Sequence, residues 1–83
     1  MINKSRLIKL TQKVIRFNSE NPPGNELALS RFIARDMRSL DLEVKVVAFA
    51  KNRPNIIATL KGTSKTAAKN AILITPHFDT VPV

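Results

Sequence analysis

His77 and Asp79 are the pair in this sequence best suited to chemistry. They lie in the segment Pro76-His77-Phe78-Asp79-Thr80-Val81-Pro82-Val83, directly after the apolar run Ala71-Ile72-Leu73-Ile74, and His77 is the only histidine. In an extended segment, side chains two residues apart point to the same side. The Asp79 carboxylate can therefore approach one ring nitrogen of His77 while the other faces outward. A carboxylate so placed fixes the tautomer and orientation of a metal-binding histidine and raises the basicity of its free nitrogen. A plainer arrangement uses the same residues: Asp79 turns the chain after a strand, and His77 is its hydrogen-bond partner. Position favours the first, because loops leaving the carboxyl ends of strands in α/β sheets gather ligand and catalytic groups.

The elements that must hold this pair read as two helices followed by three strands, an α/β order. Leu7, Leu10, Val14 and Phe17 recur at helical spacing, with Ile8 and Ile15 broadening the stripe, so a first amphipathic helix is predicted from about Asn3 to Phe17. Asn21-Pro22-Pro23-Gly24-Asn25 breaks it, since the prolines remove donors and Gly24 permits a left-handed turn. Asn25 is the expected N-cap of a second helix, and Glu26 suits that helix's positive end. Its apolar face is Leu29, Phe32, Ile33, Met37 and Leu40.

From Glu43 the period changes to two, with Val44, Val46 and Ala48 facing one way. Lys51 to Pro54 turns the chain, and Asn55 to Leu60 is a second strand. Gly62 to Asn70 is a polar loop, and Ala71 to Thr75 is a third strand, continuously apolar as if buried on both faces. Arg53 is either an exposed turn residue or the partner of an acidic group elsewhere.

Composition narrows the function classes. With 83 residues there is room for one small domain or for part of a larger one. The 43% hydrophobic content suits a globular chain, and no window is apolar for long enough to cross a membrane. The absence of cysteine excludes disulfides and thiolate zinc sites and favours a cytoplasmic setting. The net charge of +8 is uneven: Lys4, Arg6, Lys9, Lys13 and Arg16 all precede the first acid, Glu20. Such a start suits a small basic α+β nucleic-acid-binding module, a membrane-surface helix or a leader peptide. A solvated helix face is preferred, because no aromatic residue interleaves the charges as a stacking platform.

Three segments in order, Asn21-Pro22-Pro23-Gly24-Asn25-Glu26, Asn52-Arg53-Pro54-Asn55-Ile56-Ile57-Ala58 and His77-Phe78-Asp79-Thr80-Val81-Pro82, carry a family likeness. Together they closely resemble the start of the zinc-dependent aminoacylase and carboxypeptidase family, which includes acetylornithine deacetylase, succinyl-diaminopimelate desuccinylase and glutamate carboxypeptidase. The resemblance runs through nearly the whole sequence, departing at Pro76, where glycine is frequent in the family, and at Phe78, where an aliphatic residue is common. It implies that His77 is the first metal ligand and that Asp79 clamps its imidazole and assists catalysis. The implied cofactor is zinc, one or two ions, with cobalt as an alternative.

The implied reaction is hydrolysis of an amide bond in an N-acyl amino acid or small peptide. The implied fold is a mixed-sheet zinc-peptidase-like catalytic domain, of which residues 1–83 would be the N-terminal portion, ending just after the first metal-ligand motif and inactive alone. The family's bridging carboxylate, general-base glutamate and further ligands come later in its chain, and a homodimer belongs to the full-length protein. Turn chemistry and helix capping are the preferred account of Asn21 to Glu26, ahead of substrate contact.

Overall fold

Two helices precede a two-stranded antiparallel sheet in the computed structural model, which describes residues 2–82 apart from the side chains of residues 67 and 68. Met1 and Val83, the ends of the expected domain, lie outside the described residues. Helix α1 spans Lys4–Val14. Asn3 starts it from an extended conformation, its side chain accepting the Arg6 N–H at 3.1 Å, which satisfies one of the donors left open at a helix N-terminus. The helix ends three residues earlier than the apolar spacing predicts. The N–H groups of Arg16 and Phe17 reach back only three residues, to the carbonyls of Lys13 and Val14, so the chain tightens into a final turn. That turn still delivers Phe17 to the second helix, where its ring centroid lies 5.4 Å from that of Phe32.

Helix α2 spans Leu27–Ser39. Glu26 occupies the cap position predicted for Asn25, but the Asn25 side chain still accepts the Leu27 N–H at 3.3 Å. At the far end Asp41 adopts a left-handed conformation with φ 60°, and the N–H groups of Asp41 and Leu42 donate to the carbonyls of Arg38 and Met37. This is the Schellman arrangement, with aspartate where glycine is usual.

Strands β1 (Glu43–Ala48) and β2 (Pro54–Thr59) pair antiparallel, from Glu43 opposite Thr59 to Ala48 opposite Pro54. Residues directly opposite share a face. Val44, Val46 and Ala48 therefore stand with Ala58, Ile56 and Pro54, the face that the period of two predicts and the one that α2 covers. The connecting turn closes by the Arg53 N–H donating to Ala50 O at 3.2 Å, with Asn52 at φ 60°. The hydrophobic core under α2 is Leu29 and Ala34, each 3% exposed.

The third strand expected over Ala71 to Thr75 does not form. A strand is held by its ladder partner and by side chains packed on its faces, and among the described residues no neighbour pairs with this segment. Ile72, Leu73 and Ile74 are accordingly 88%, 85% and 81% exposed rather than buried. The polar loop before it closes in a single turn of 3-10 helix, Ala67–Asn70. Pairing resumes only at Thr80, which bridges Glu20 in parallel. There the Asn21 N–H donates to Thr80 O at 2.7 Å and the Thr80 N–H to Ser19 O at 3.1 Å.

Much apolar surface therefore stays in water. The chain exposes 7407 Å², where a compact monomer of 9.2 kDa would expose about 4,900 Å². Among the described residues no helix is long and apolar enough to cross a membrane.

Candidate metal centre

The bridge at Thr80 brings the expected pair to the break between the helices. Ser19, buried, donates its hydroxyl to the carbonyl of Phe78 at 2.7 Å, which pins the backbone between His77 and Asp79. Asp79 Oδ2 then accepts from two donors: the Asn21 side-chain amide at 3.2 Å and Arg53 Nη2 at 3.1 Å.

Arg53 is held from its other side by Glu26. Its Nε lies 3.1 and 3.2 Å from the two carboxylate oxygens, and its Nη2 lies 3.0 Å from Oε1. Glu26 is buried at the N-terminus of α2, where the unpaired N–H groups of the first turn favour negative charge. Its own N–H donates to Asn52 O at 2.8 Å, tying the helix start to the turn that carries Arg53. The hydrogen bond to Glu26, then the charges of Glu26 and Asp79, raise the pKa of Arg53 above its already high ordinary value, so the guanidinium stays charged. One cation between two carboxylates leaves this cluster with a net charge of −1.

Sequence spacing predicted that Asp79 would meet one ring nitrogen of His77. The geometry brings them together, with the backbone doing more than the carboxylate: His77 Nδ1 lies 2.9 Å from the Asp79 carbonyl oxygen and 3.2 Å from Oδ1. A carbonyl oxygen can only accept, so Nδ1 carries the proton and, in the neutral ring, Nε2 keeps its lone pair. The ring is 84% exposed, and it borders a cleft lined by Glu26, Phe49, Arg53, Asn55 and Phe78.

As a donor set, these residues fit one position of a metal site. His77 Nε2 is free and outward, as a ligand must be. Asp79 is a poor direct ligand here, since Oδ2 already serves two donors. Among the described residues no three His, Cys, Asp or Glu side chains gather as a metal-holding group, whereas a catalytic zinc takes about three protein ligands.

Glu26, Arg53, Asn21 and Ser19 were not singled out as site residues by sequence. Glu26 was read only as a complement to the helix dipole and Asn21 as part of a turn, yet both support Asp79. A signal existed: Glu26 is the only acid between Asn21 and Arg35. Compared with protein-family models, curated proteins and solved structures, the chain matches none.

Proposed function

We propose that this chain supplies the first metal-binding histidine of a zinc-dependent amide hydrolase acting on N-acyl amino acids or small peptides, and that residues 1–83 are the leading part of its catalytic domain. The observation that carries the reading is the His77 ring itself, with Nδ1 against the Asp79 carbonyl and carboxylate oxygens and Nε2 open. The resemblance of the three motif segments supports it.

A bound zinc ion would supply polarisation of an amide carbonyl and a water whose pKa falls to about 7. This chain's own contribution is to present Nε2, hold the proton at Nδ1 against the Asp79 carbonyl, and keep a net negative cluster behind the ring that favours a cation in front of it.

The test is zinc calorimetry and amide hydrolysis with the product of the whole reading frame, compared with His77→Ala. Tight zinc binding and hydrolysis that both vanish in His77→Ala are expected. Absent zinc binding, or binding indifferent to His77, overturns the proposal.

A second reading, a small basic nucleic-acid-binding α+β module, is favoured by Arg31, Arg35 and Arg38, which line a groove beside Val46 and Pro54. Among the described residues no carboxylate pairs with these arginines. It requires salt-dependent affinity for single-stranded nucleic acid that falls when these arginines are replaced.

A further inference from the structure

We infer that Arg53, anchored by Glu26, is a positioning residue for His77: it fixes the Asp79 carboxylate, which joins the Asp79 carbonyl as an acceptor for Nδ1, and through it biases the tautomer and direction of the ring. The inference rests on the reading of His77 as a metal ligand. No packing holds the His77 ring, which is 84% exposed and has its recorded polar contacts only with Asp79. The orientation of the ring is therefore only as definite as that of Asp79.

Asp79 in turn has one carboxylate oxygen toward His77 and the other shared by Arg53 and Asn21. Of those two donors Arg53 is the charged one, and charge-assisted bonds are the stronger. Arg53 itself is not free to swing toward a substrate, because Nε and Nη2 both engage the buried Glu26.

Gly24 completes the device. Its φ is 72°, and a Cβ built there would lie 2.8 Å from Cζ, 2.9 Å from Nε and 3.2 Å from Nη1 of Arg53. The guanidinium plane thus lies directly against the bare Cα of the Pro-Pro-Gly turn, in a slot that no other residue leaves open. Helix α2, the turn and the β1–β2 connection each fix one side of the fork, so the three come to bear together on Asp79. Lysine carries the same charge but a single ammonium, and cannot make two planar contacts at once.

The experiment uses the single histidine, whose ring nitrogens give one set of ¹⁵N signals. The Nδ1–H tautomer fraction and the shift of Nε2 on adding zinc are read in the wild type, Arg53→Lys and Glu26→Gln, with His77→Ala as the blank that identifies the ring signals and far-UV circular dichroism checking the fold. Arg53→Lys is expected to lower the Nδ1–H fraction, the Asp79 carbonyl retaining the remainder, and to weaken zinc binding at Nε2 about tenfold, the low end of what losing a ligand's supporting partner costs. Glu26→Gln, which keeps one acceptor, should fall between. Should Arg53→Lys not fold, the comparison rests on Glu26→Gln.

A folded variant with wild-type tautomer and wild-type zinc response overturns the inference while leaving the metal reading intact. The metal reading is overturned separately, by a product of the whole reading frame that binds no zinc through His77, and the tautomer shift in this chain then decides alone whether Arg53 positions the ring.

Discussion

Gly24 and Arg53 are in van der Waals contact through a gap that only glycine leaves: a Cβ at residue 24 would lie 2.8 Å from the guanidinium carbon. The backbone there also has φ 72°, where an L side chain costs about 1–2 kcal/mol. Gly24→Ala is therefore expected to lose that much from backbone strain and more from displacing Arg53. Urea denaturation separates the two parts. In an Arg53→Ala background the displacement disappears and only the strain remains, so the two substitutions should be less than additive. Full additivity would mean that the contact carries no energy.

Leu29 is the largest buried apolar side chain among the described residues. Leu29→Ala should cost about 2–5 kcal/mol, the usual range for truncating a buried leucine. A domain of this size holds little more than that in reserve. Loss of a cooperative thermal transition is the expected readout. Leu7→Ala, at a residue of α1 that is 51% exposed, should leave the transition nearly unmoved; equal effects of the two would place the core elsewhere.

Ser19 ties the segment bearing His77 and Asp79 to the break after α1, through its hydroxyl on the Phe78 carbonyl. Ser19→Ala removes one part-buried hydrogen bond, worth about 1 kcal/mol, and leaves the Thr80 bridge and the Asp79 contacts with Arg53 and Asn21 to hold the segment. Amide exchange at Thr80, whose N–H donates to Ser19 O, should quicken while exchange in α2 does not. Equal acceleration in both would show that the whole domain, rather than this tie, was loosened.

Local patterns announced most of the framework. The stripe of α2, the period of two through Val44 and Val46, and the Pro-Pro-Gly break are all written in neighbouring residues, and each element forms there, although Leu40 falls past the end of α2 at 51% exposed and Val46 stays 49% exposed. The third strand was not legible in the same sense: Ala71 to Thr75 has the composition of a buried strand, but pairing is a property of two segments and no described segment pairs with this one. Within the site, His77 and Asp79 are two residues apart and were visible. The rest of the cluster joins residues 26 to 59 positions apart, such as Arg53 to Asp79 and Ser19 to Phe78, and no periodicity reports a contact of that span.

Two ion pairs with different surroundings should respond differently to salt. Arg6 and Asp36, 42% and 26% exposed, meet through both carboxylate oxygens between α1 and α2. Arg6→Ala is expected to cost less than about 1 kcal/mol, and the difference should vanish in molar salt. The Arg53–Glu26 contact has its acid buried, so the loss on Arg53→Ala should persist at high salt. Nor should that loss change from neutral to mildly alkaline pH. A base whose pKa is raised on folding contributes fully below its unfolded pKa and loses that contribution only above it, and for Arg53 both lie far to the alkaline side. Thermal unfolding of both variants across salt and pH checks the contrast, and a salt-sensitive Arg53 effect would place Glu26 in solvent.

His77 provides the sharpest separation of stability from function. Its ring is almost wholly in water, and its recorded polar contacts are both with Asp79, so His77→Ala deletes little packing and leaves Asp79 satisfied by Arg53 and Asn21. The melting temperature of this chain should stay within about 1 kcal/mol equivalent of the wild type, as for surface changes generally, while the zinc response at this position disappears. Asp79→Ala should do the reverse in part: it strips Arg53 of one acceptor and Asn21 of another, lowering stability, and it also frees the His77 ring, whose Nδ1 then keeps only the backbone carbonyl. If His77→Ala instead destabilised the fold as much as Asp79→Ala, the histidine would be a structural hydrogen-bond partner after a turn, and the metal reading of the pair would lose the observation on which it stands.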